Sequence, residues 1–231
     1  MKGRSIAVLV PHQFIPPKNG GHWSLFNLCE FLGREADVVC ICTKGNEHPD
    51  DVSFSIMNVL PTSWRKYFDP KTIYLVYKFL KIHDVSTCIV IQPYQGLIGY
   101  LACRLVKANF IVYAHNLEYR RFRSLRKWWY FVIYVMEKLV FRLADLVLFV
   151  SMEDLNRARN DLKLGQDRCF YLPPVISESS MPSIKPSKEI FRIIYFADFS
   201  YLPNRKCLTN IVEKIIPLLD ESTSLPYDLH I

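Results

Sequence analysis

Short apolar runs alternate with amphipathic segments along most of the chain. Ile6–Val10 is apolar at consecutive positions, which is typical of a strand buried on both faces of a parallel sheet. After Gly20, by contrast, Leu25, Leu28 and Leu32 recur at helical spacing and share one face. The same alternation repeats down to about residue 172, so the pattern predicts an α/β domain.

The predicted elements follow one another as strand, helix, strand. Predicted strands cover 6–10, 37–43, 52–59, 87–92, 110–114, 146–150 and 168–172. Predicted helices cover 20–32, 71–83, 97–106, 118–143 and 152–162. This order predicts a Rossmann-like parallel sheet with right-handed crossovers and helices on both faces.

A second domain is predicted to begin after a linker. Residues 177–189 hold five serines and two prolines without apolar periodicity, as expected of an interdomain linker. A strand at 191–196, a helix at 206–219 and a strand at 227–231 then form one βαβ unit. We therefore expect a first domain over 1–176, the linker, and over 190–231 the truncated start of a second domain.

Composition narrows the class of protein. Half of the 231 residues are hydrophobic, which excludes a disordered chain, and the formal net charge is +7. Most of that excess lies between Glu118 and Arg142, where seven basic residues stand against two acidic ones. Such a stretch favours an anionic partner, which could be a phosphate, an acidic lipid or a nucleic acid. Because no nucleic-acid-binding motif accompanies the charge, we expect no nucleic-acid partner.

The cysteines and the lengths of the apolar runs indicate the cellular compartment. The seven cysteines are odd in number and form no CxxC pair, which indicates reduced, mostly buried thiols. No signal peptide and no run of membrane length is present. We expect a soluble cytoplasmic protein, with peripheral attachment to the inner face of a membrane left open.

Three motifs lie where helices meet the carboxyl ends of strands, the edge at which open α/β sheets bind ligands. Gly20-Gly21 opens the first helix and would let an anion approach closely, unless it is a plain loop pair. His115-Asn116-Leu117-Glu118 could orient hydroxyls of a polar ligand, or form a turn and cap. Ser151 is most simply the cap of the following helix.

A fourth feature is a basic and aromatic stretch. It holds Arg120, Arg121, Arg123, Arg126, Lys127 and Trp128. Basic residues interleaved with tryptophan are typical of a membrane surface or a phosphate-rich acceptor site. The alternative is a crossover helix with one buried aromatic face. No metal-ligand spacing, P-loop or GxSxG motif occurs, so we expect no metal and no cofactor.

Taken in order, these motifs resemble glycosyltransferase family 4 of the GT-B fold. The resemblance spans 6–231 and rests on five segments: Pro17–Gly21, His115–Arg120, Ala144–Asp154, Leu172–Val175 and Ile194–Asn204.

The resemblance implies two facing Rossmann-like domains and a metal-independent transfer with retention at the anomeric carbon. The donor would be a nucleotide-sugar as co-substrate, and the acceptor a glycan or lipid-linked sugar, as in polysaccharide biosynthesis. The family's catalytic positions match His115 and Glu118. Its donor-diphosphate and acceptor contacts match Gly20, Gly21, Asn116, Ser151 and Asn204.

Departures from the family pattern affect the expected activity. Ala197 stands where the family has a glycine close to the donor, and the family's basic and paired-glutamate donor motifs fall beyond Ile231. We therefore expect this polypeptide to be inactive alone. The rival hypothesis is a non-catalytic acceptor-binding or partner-binding module of a split glycosyltransferase, with a protein partner covering Ile211, Ile215 and Leu218.

Overall fold

The computed structural model describes residues 5–174, 190–200, 202–222 and 226–231. The chain divides into two compact units, Met1–Ser177 and Glu178–Ile231. The predicted linker, 177–189, lies outside the described residues.

The first unit is built from seven strands and seven α-helices among its described residues. The strands are β1 (Ser5–Val10), β2 (Asp37–Thr43), β3 (Ser55–Leu60), β4 (Thr87–Ile91), β5 (Asn109–Ala114), β6 (Leu146–Phe149) and β7 (Cys169–Tyr171). The helices are α1 (Gly20–Gly33), α2 (Arg65–Phe68), α3 (Pro70–Ile82), α4 (Gly96–Val106), α5 (Glu118–Ser124), α6 (Tyr130–Leu143) and α7 (Met152–Asp161).

All seven strands form one parallel sheet in the order β3-β2-β1-β4-β5-β6-β7. The chain runs from β1 outward to β3 and then crosses back to β4, so the strand order reverses between β1 and β4. In open parallel sheets such a switch point leaves a crevice at the carboxyl ends of the strands. The predicted α/β fold is confirmed.

The core consists of two layers because the sheet is covered on both faces. Leu9 and Val90 face the layer that contains α3, α4 and α6, while Val8 and Ile89 face the layer that contains Leu25 of α1. Alternate residues of one strand therefore enter opposite layers, which explains the continuous apolar runs.

Helix α4 packs with two glycines against its neighbours. A β-carbon on Gly99 would lie 2.5 Å from Cγ2 of Val90 in β4, and one on Gly96 would overlap Val140 of α6. The absence of side chains at these two positions sets how closely α4 approaches the sheet and α6.

The second unit contains a parallel pair, β8 (Phe191–Ile194) and β9 (Tyr227–His230), in the register Phe191↔Tyr227. Helices α8 (Leu202–Asn210) and α9 (Ile216–Ser222) lie between them in sequence and are joined by a π-helical turn, Ile211–Ile215. This is the predicted βαβ order, with the helix beginning at Leu202 rather than Lys206.

Three local details differ from the prediction. The helical region predicted over about 118–143 is divided into two helices, α5 and α6, with Arg126 between them in a left-handed backbone conformation with φ of 53°. The short helix α2 was not predicted, since no side chain caps its first turn. Strand β3 begins at Ser55 rather than Val52. No helix among the described residues is long and apolar enough to cross a membrane.

Candidate functional site

The first helix begins at the switch point, and its start lies beside His115. Asn19 caps α1 by accepting a hydrogen bond from the His22 amide at 3.0 Å. A β-carbon on Gly21 would lie 3.9 Å from Nδ1 of His115, whereas one on Gly20 would meet nothing within 4 Å. The Gly-Gly and His115 motifs, separated by four strands in sequence, are thus brought to one place.

His115 follows the last residue of β5 and is held neutral by its surroundings. Burial lowers the pKa of His115 below its usual value of 6.5, and the Glu118 carboxylate only partly opposes this shift. Its ring packs edge-on against Tyr113, with centroids 4.9 Å apart. The buried Nε2 atom has no hydrogen-bond partner among the described residues. A neutral imidazole with one uncommitted nitrogen can bind a hydroxyl group.

Two more histidines and a lysine surround this position, and the sequence analysis did not identify them. His12 stacks on His22 with ring centroids 5.6 Å apart. Burial, and after it the proximity of His22, His115 and Lys66, lowers the pKa of His12 to about 4. Lys66 donates from Nζ to the Pro11 carbonyl at 2.7 Å. The start of α1 and the Lys66 ammonium favour an anion in this crevice.

Glu118 is buried and its Oε2 atom is engaged. The Tyr94 hydroxyl donates to Oε2 at 2.5 Å and Arg121 Nε donates to it at 2.6 Å. Arg121 also donates from Nη2 to the Tyr94 oxygen at 3.2 Å. This triad fixes the carboxylate at the first residue of α5, close enough to His115 for its charge to oppose the lowering of the His115 pKa.

A second buried carboxyl group, Glu137, fixes the start of α5. Its two oxygens accept the backbone amides of Glu118 at 2.7 Å and Tyr119 at 2.8 Å. Burial raises the pKa of Glu137 to about 8, although the two amide donors work in the opposite direction. Glu137 thereby positions Glu118 from the neighbouring helix α6.

Gln92 is the residue directly after β4 and has a strained backbone. Its φ of 64° and ψ of 154° fall in a region that is essentially restricted to glycine. Its buried Oε1 has no partner among the described residues. Strain of this kind concentrates at functional sites, which makes Gln92 a further candidate at the switch point.

The remaining predicted site residues lie elsewhere. Asn116 is exposed beside His115, and Ser151 caps α7 by accepting the Asp154 amide at 3.4 Å. Asn204 lies in the second unit, where its Nδ2 donates to the Asp198 carbonyl at 2.9 Å. The binding roles of these three residues stay predictions.

The basic stretch separates into paired and unpaired cations. Arg120 forms ion pairs with Glu153 at 3.1 Å and Asp154 at 3.8 Å. Arg121 is held by Glu118 as described. Arg123, Arg126 and Lys127, followed by Trp128, are exposed and form no ion pair within the described residues.

Comparisons with known proteins concern the family and the fold of the chain. The sequence model of Glycosyltransferase Family 4 matches residues 18–179. No curated protein matches the chain in sequence.

Several solved structures of GT-B glycosyltransferases share the fold. The apo lipopolysaccharide outer core galactosyltransferase WaaB is 12% identical with a TM-score of 0.60, over 98% of this chain and 60% of that chain. Sucrose-phosphate synthase from Thermosynechococcus elongatus is 12% identical with a TM-score of 0.62, over 99% and 71%. HepE from Anabaena, in complex with UDP, is 10% identical with a TM-score of 0.58, over 97% and 69%. The chain thus spans less than two thirds of the length of WaaB.

Proposed function

Because the chain belongs to glycosyltransferase family 4, we propose that it serves the transfer of a hexose from a nucleotide-sugar to a glycan or lipid-linked acceptor. The transfer proceeds with retention at the anomeric carbon and without a metal ion. The donor is a co-substrate, and HepE, solved with UDP, is a protein of the same fold.

One observation carries the proposal: the start of α1 lies beside the His115 ring at the strand switch, where a β-carbon on Gly21 would be 3.9 Å from Nδ1, and Nε2 of that ring has no hydrogen-bond partner among the described residues. A leaving diphosphate needs positive charge and backbone donors, which α1 and Lys66 provide. The sugar needs neutral hydrogen-bonding groups, and His115 is one of them.

We assign roles to the crevice residues on this basis. Gly20 and Gly21 leave room for the donor diphosphate, and His115 binds a hydroxyl of the transferred sugar. Glu118 supplies negative charge near the developing oxocarbenium ion, held in place by Tyr94 and Arg121.

The polypeptide of these 231 residues is expected to bind sugar ligands without turning them over. It covers 60% of the WaaB chain, and the described residues of its second unit form a sheet of two strands. Nucleotide release from UDP- and GDP-hexoses tests the absence of turnover. Release at an enzymatic rate, on the order of one per second, would show that the chain is a complete catalyst.

Ligand binding tests the crevice itself. We expect saturation-transfer NMR to detect the hexose protons of a UDP- or GDP-sugar on the wild-type chain and to lose this signal with His115→Ala. His83→Ala is the matched control, because His83 precedes β4 and therefore lies at the opposite edge of the sheet. Equal signals in both variants would exclude His115 from the site.

A second candidate function is a non-catalytic module of a split glycosyltransferase. It is favoured by exposed apolar side chains in the second unit, where Phe196 is 97%, Ile194 71% and Leu218 60% exposed. Such surface normally marks an interaction site. Light scattering and binding of a hydrophobic dye test it, and a monodisperse monomer that leaves the dye unbound would count against it.

A further inference from the structure

An apolar surface covers the outer side of α6 and the turn before it. We call it the α6 surface, and it comprises Leu125, Trp128, Phe131, Val132, Val135 and Leu139. Trp128 is 78% exposed and Val135 60% exposed. The Trp128 and Phe131 rings have centroids 6.2 Å apart, so the turn and the helix form one continuous patch.

Helix α6 has its core contacts on the opposite side. Glu137, Val140 and Phe141 are buried in the first unit. Phe131, Val135 and Leu139 are spaced four residues apart and form the exposed stripe. Helix α6 therefore has two apolar faces. One packs into the core of the first unit, and the other is exposed.

Positive charge lies at both ends of the exposed stripe. Arg123, Arg126 and Lys127 precede it, Arg142 follows it on the same face, and all four are exposed. Between Tyr119 and Ala144 the sole acidic residue is Glu137, which is fully buried. Between Tyr119 and Ala144 the exposed side chains of this surface are thus apolar or basic, and the segment itself contributes no exposed carboxylate.

A cavity of about 420 Å³ adjoins the basic end and shares Arg123 with it. Arg120, Arg157, Ser124, Tyr119 and Asp161 complete its walls. Arg120 and Arg157 are already paired with Glu153, whereas Arg123 is not, so Arg123 is the cation that remains available to a phosphate.

We infer that the α6 surface binds an anionic lipid bilayer, with α6 lying in the plane of the interface and Trp128 entering the headgroup layer. An apolar stripe flanked by cations at both ends matches the layering of a bilayer surface, where acyl chains lie beneath phosphates. A protein partner of complementary charge would need carboxylates around an apolar centre. An anionic bilayer presents negatively charged headgroups above apolar acyl chains over its whole surface. Helix α6, at 14 residues, is too short to cross it.

This inference goes beyond the proposed function and does not depend on it. A chain that turns over no sugar would still bind vesicles, and a transferase without the surface would still bind its donor. Failure of the vesicle-binding inference is therefore distinguishable from failure of the proposed sugar transfer.

The experiment is co-sedimentation of the 231-residue chain with phosphatidylcholine vesicles, with and without 30% phosphatidylglycerol. We expect at least about tenfold stronger binding to the anionic vesicles, reduced severalfold when salt is raised from about 0.1 to 0.5 M, as screening requires. Equal binding to both vesicle types, or binding to neither, would overturn the inference.

Variants separate the α6 surface from the net charge of the chain. Arg123→Glu/Arg126→Glu/Lys127→Glu is expected to lower anionic vesicle binding more than about tenfold, since each cation contributes about fivefold. The charge-matched control Lys71→Glu/Lys78→Glu/Lys81→Glu changes three exposed lysines on α3 and is expected to retain most of the binding. Equal losses in the two variants would mean that net charge, rather than this surface, attracts the membrane.

The apolar half is tested with Trp128→Ser/Val135→Ser against Trp64→Ser, a tryptophan that is 70% exposed. Only the first is expected to lower vesicle binding. Light scattering of the wild-type chain completes the test. A dimer that dissociates in Trp128→Ser/Val135→Ser, together with unchanged vesicle binding, would assign the surface to a second copy instead.

Discussion

At the residue scale, Glu137 is a carboxyl group that burial and two hydrogen bonds hold in one position. It is fully buried and accepts two backbone amides from the segment that carries Glu118. Its raised pKa means that the folded chain binds a proton more tightly than the unfolded chain. The resulting stabilisation is fully present below the usual glutamate pKa of 4.5 and is lost as the pH rises through about 8.

Glu137→Gln tests this linkage. At pH 5 the variant is expected to lose about 1–3 kcal/mol in the free energy of unfolding, because a carboxamide NH₂ must face one of the two amide donors. This difference in unfolding free energy between the variant and the wild-type chain should narrow toward pH 8, because only the wild-type chain has a carboxyl group at position 137 to lose its proton. Urea unfolding at both pH values measures it. Glu35→Gln, on an exposed carboxylate, is expected to change stability by under about 0.5 kcal/mol. A deficit that widens with pH would contradict the assignment.

The site was only partly predictable from single residues. Gly20, Gly21 and His115 stand next to predicted element ends, so strand topology alone brings them to the same edge. His12, Lys66 and Gln92 carry no motif. What places these three residues at the site is the path of a loop or, for Gln92, a backbone conformation with positive φ. Neither can be predicted from the periodicity of apolar residues.

At the element scale, the strands were predicted best because burial on both faces leaves unbroken apolar runs. The break between α5 and α6 was missed, since Arg126 is neither the glycine nor the asparagine that usually marks a left-handed backbone position. The close packing of α4 could not be predicted either, because a glycine within a helical pattern does not indicate which residue it contacts.

The close approach of α4 leads to a prediction about its glycines. Gly99→Ala is expected to destabilise the chain by about 1–3 kcal/mol, since the new methyl group would meet Val90 in a filled core. Gly20→Ala, where a β-carbon meets nothing within 4 Å, is expected to cost nothing measurable. Thermal unfolding followed by circular dichroism compares the two, and a neutral Gly99→Ala would show that α4 can move away from the sheet.

At the scale of the whole molecule, cysteine exposure distinguishes the two units. Cys207 of α8 is exposed, and the other six cysteines are buried in the first unit. Burial raises the pKa of Cys42, and a hydrogen bond with Cys103 followed by burial raises that of Cys88. Thiolates are the reactive form, so buried thiols react slowly.

Thiol titration of the native chain is therefore expected to give one fast equivalent, and unfolding in guanidinium chloride to release the other six. Ellman's reagent at pH 8 provides the measurement. Cys207→Ser should remove the fast phase entirely. Two or more fast equivalents in the wild-type chain would mean that the first unit opens readily.

The crevice at the strand switch has one wall from the beginning of the first unit and another from its middle. Neither wall keeps its shape unless the intervening strands pair, because β4 joins them across the sheet. Any small molecule that touches both walls therefore clamps distant parts of the polypeptide together. By mass action, a bound molecule of this kind raises the melting temperature of the entire first unit. The shift in melting temperature therefore shows which candidate ligands bind.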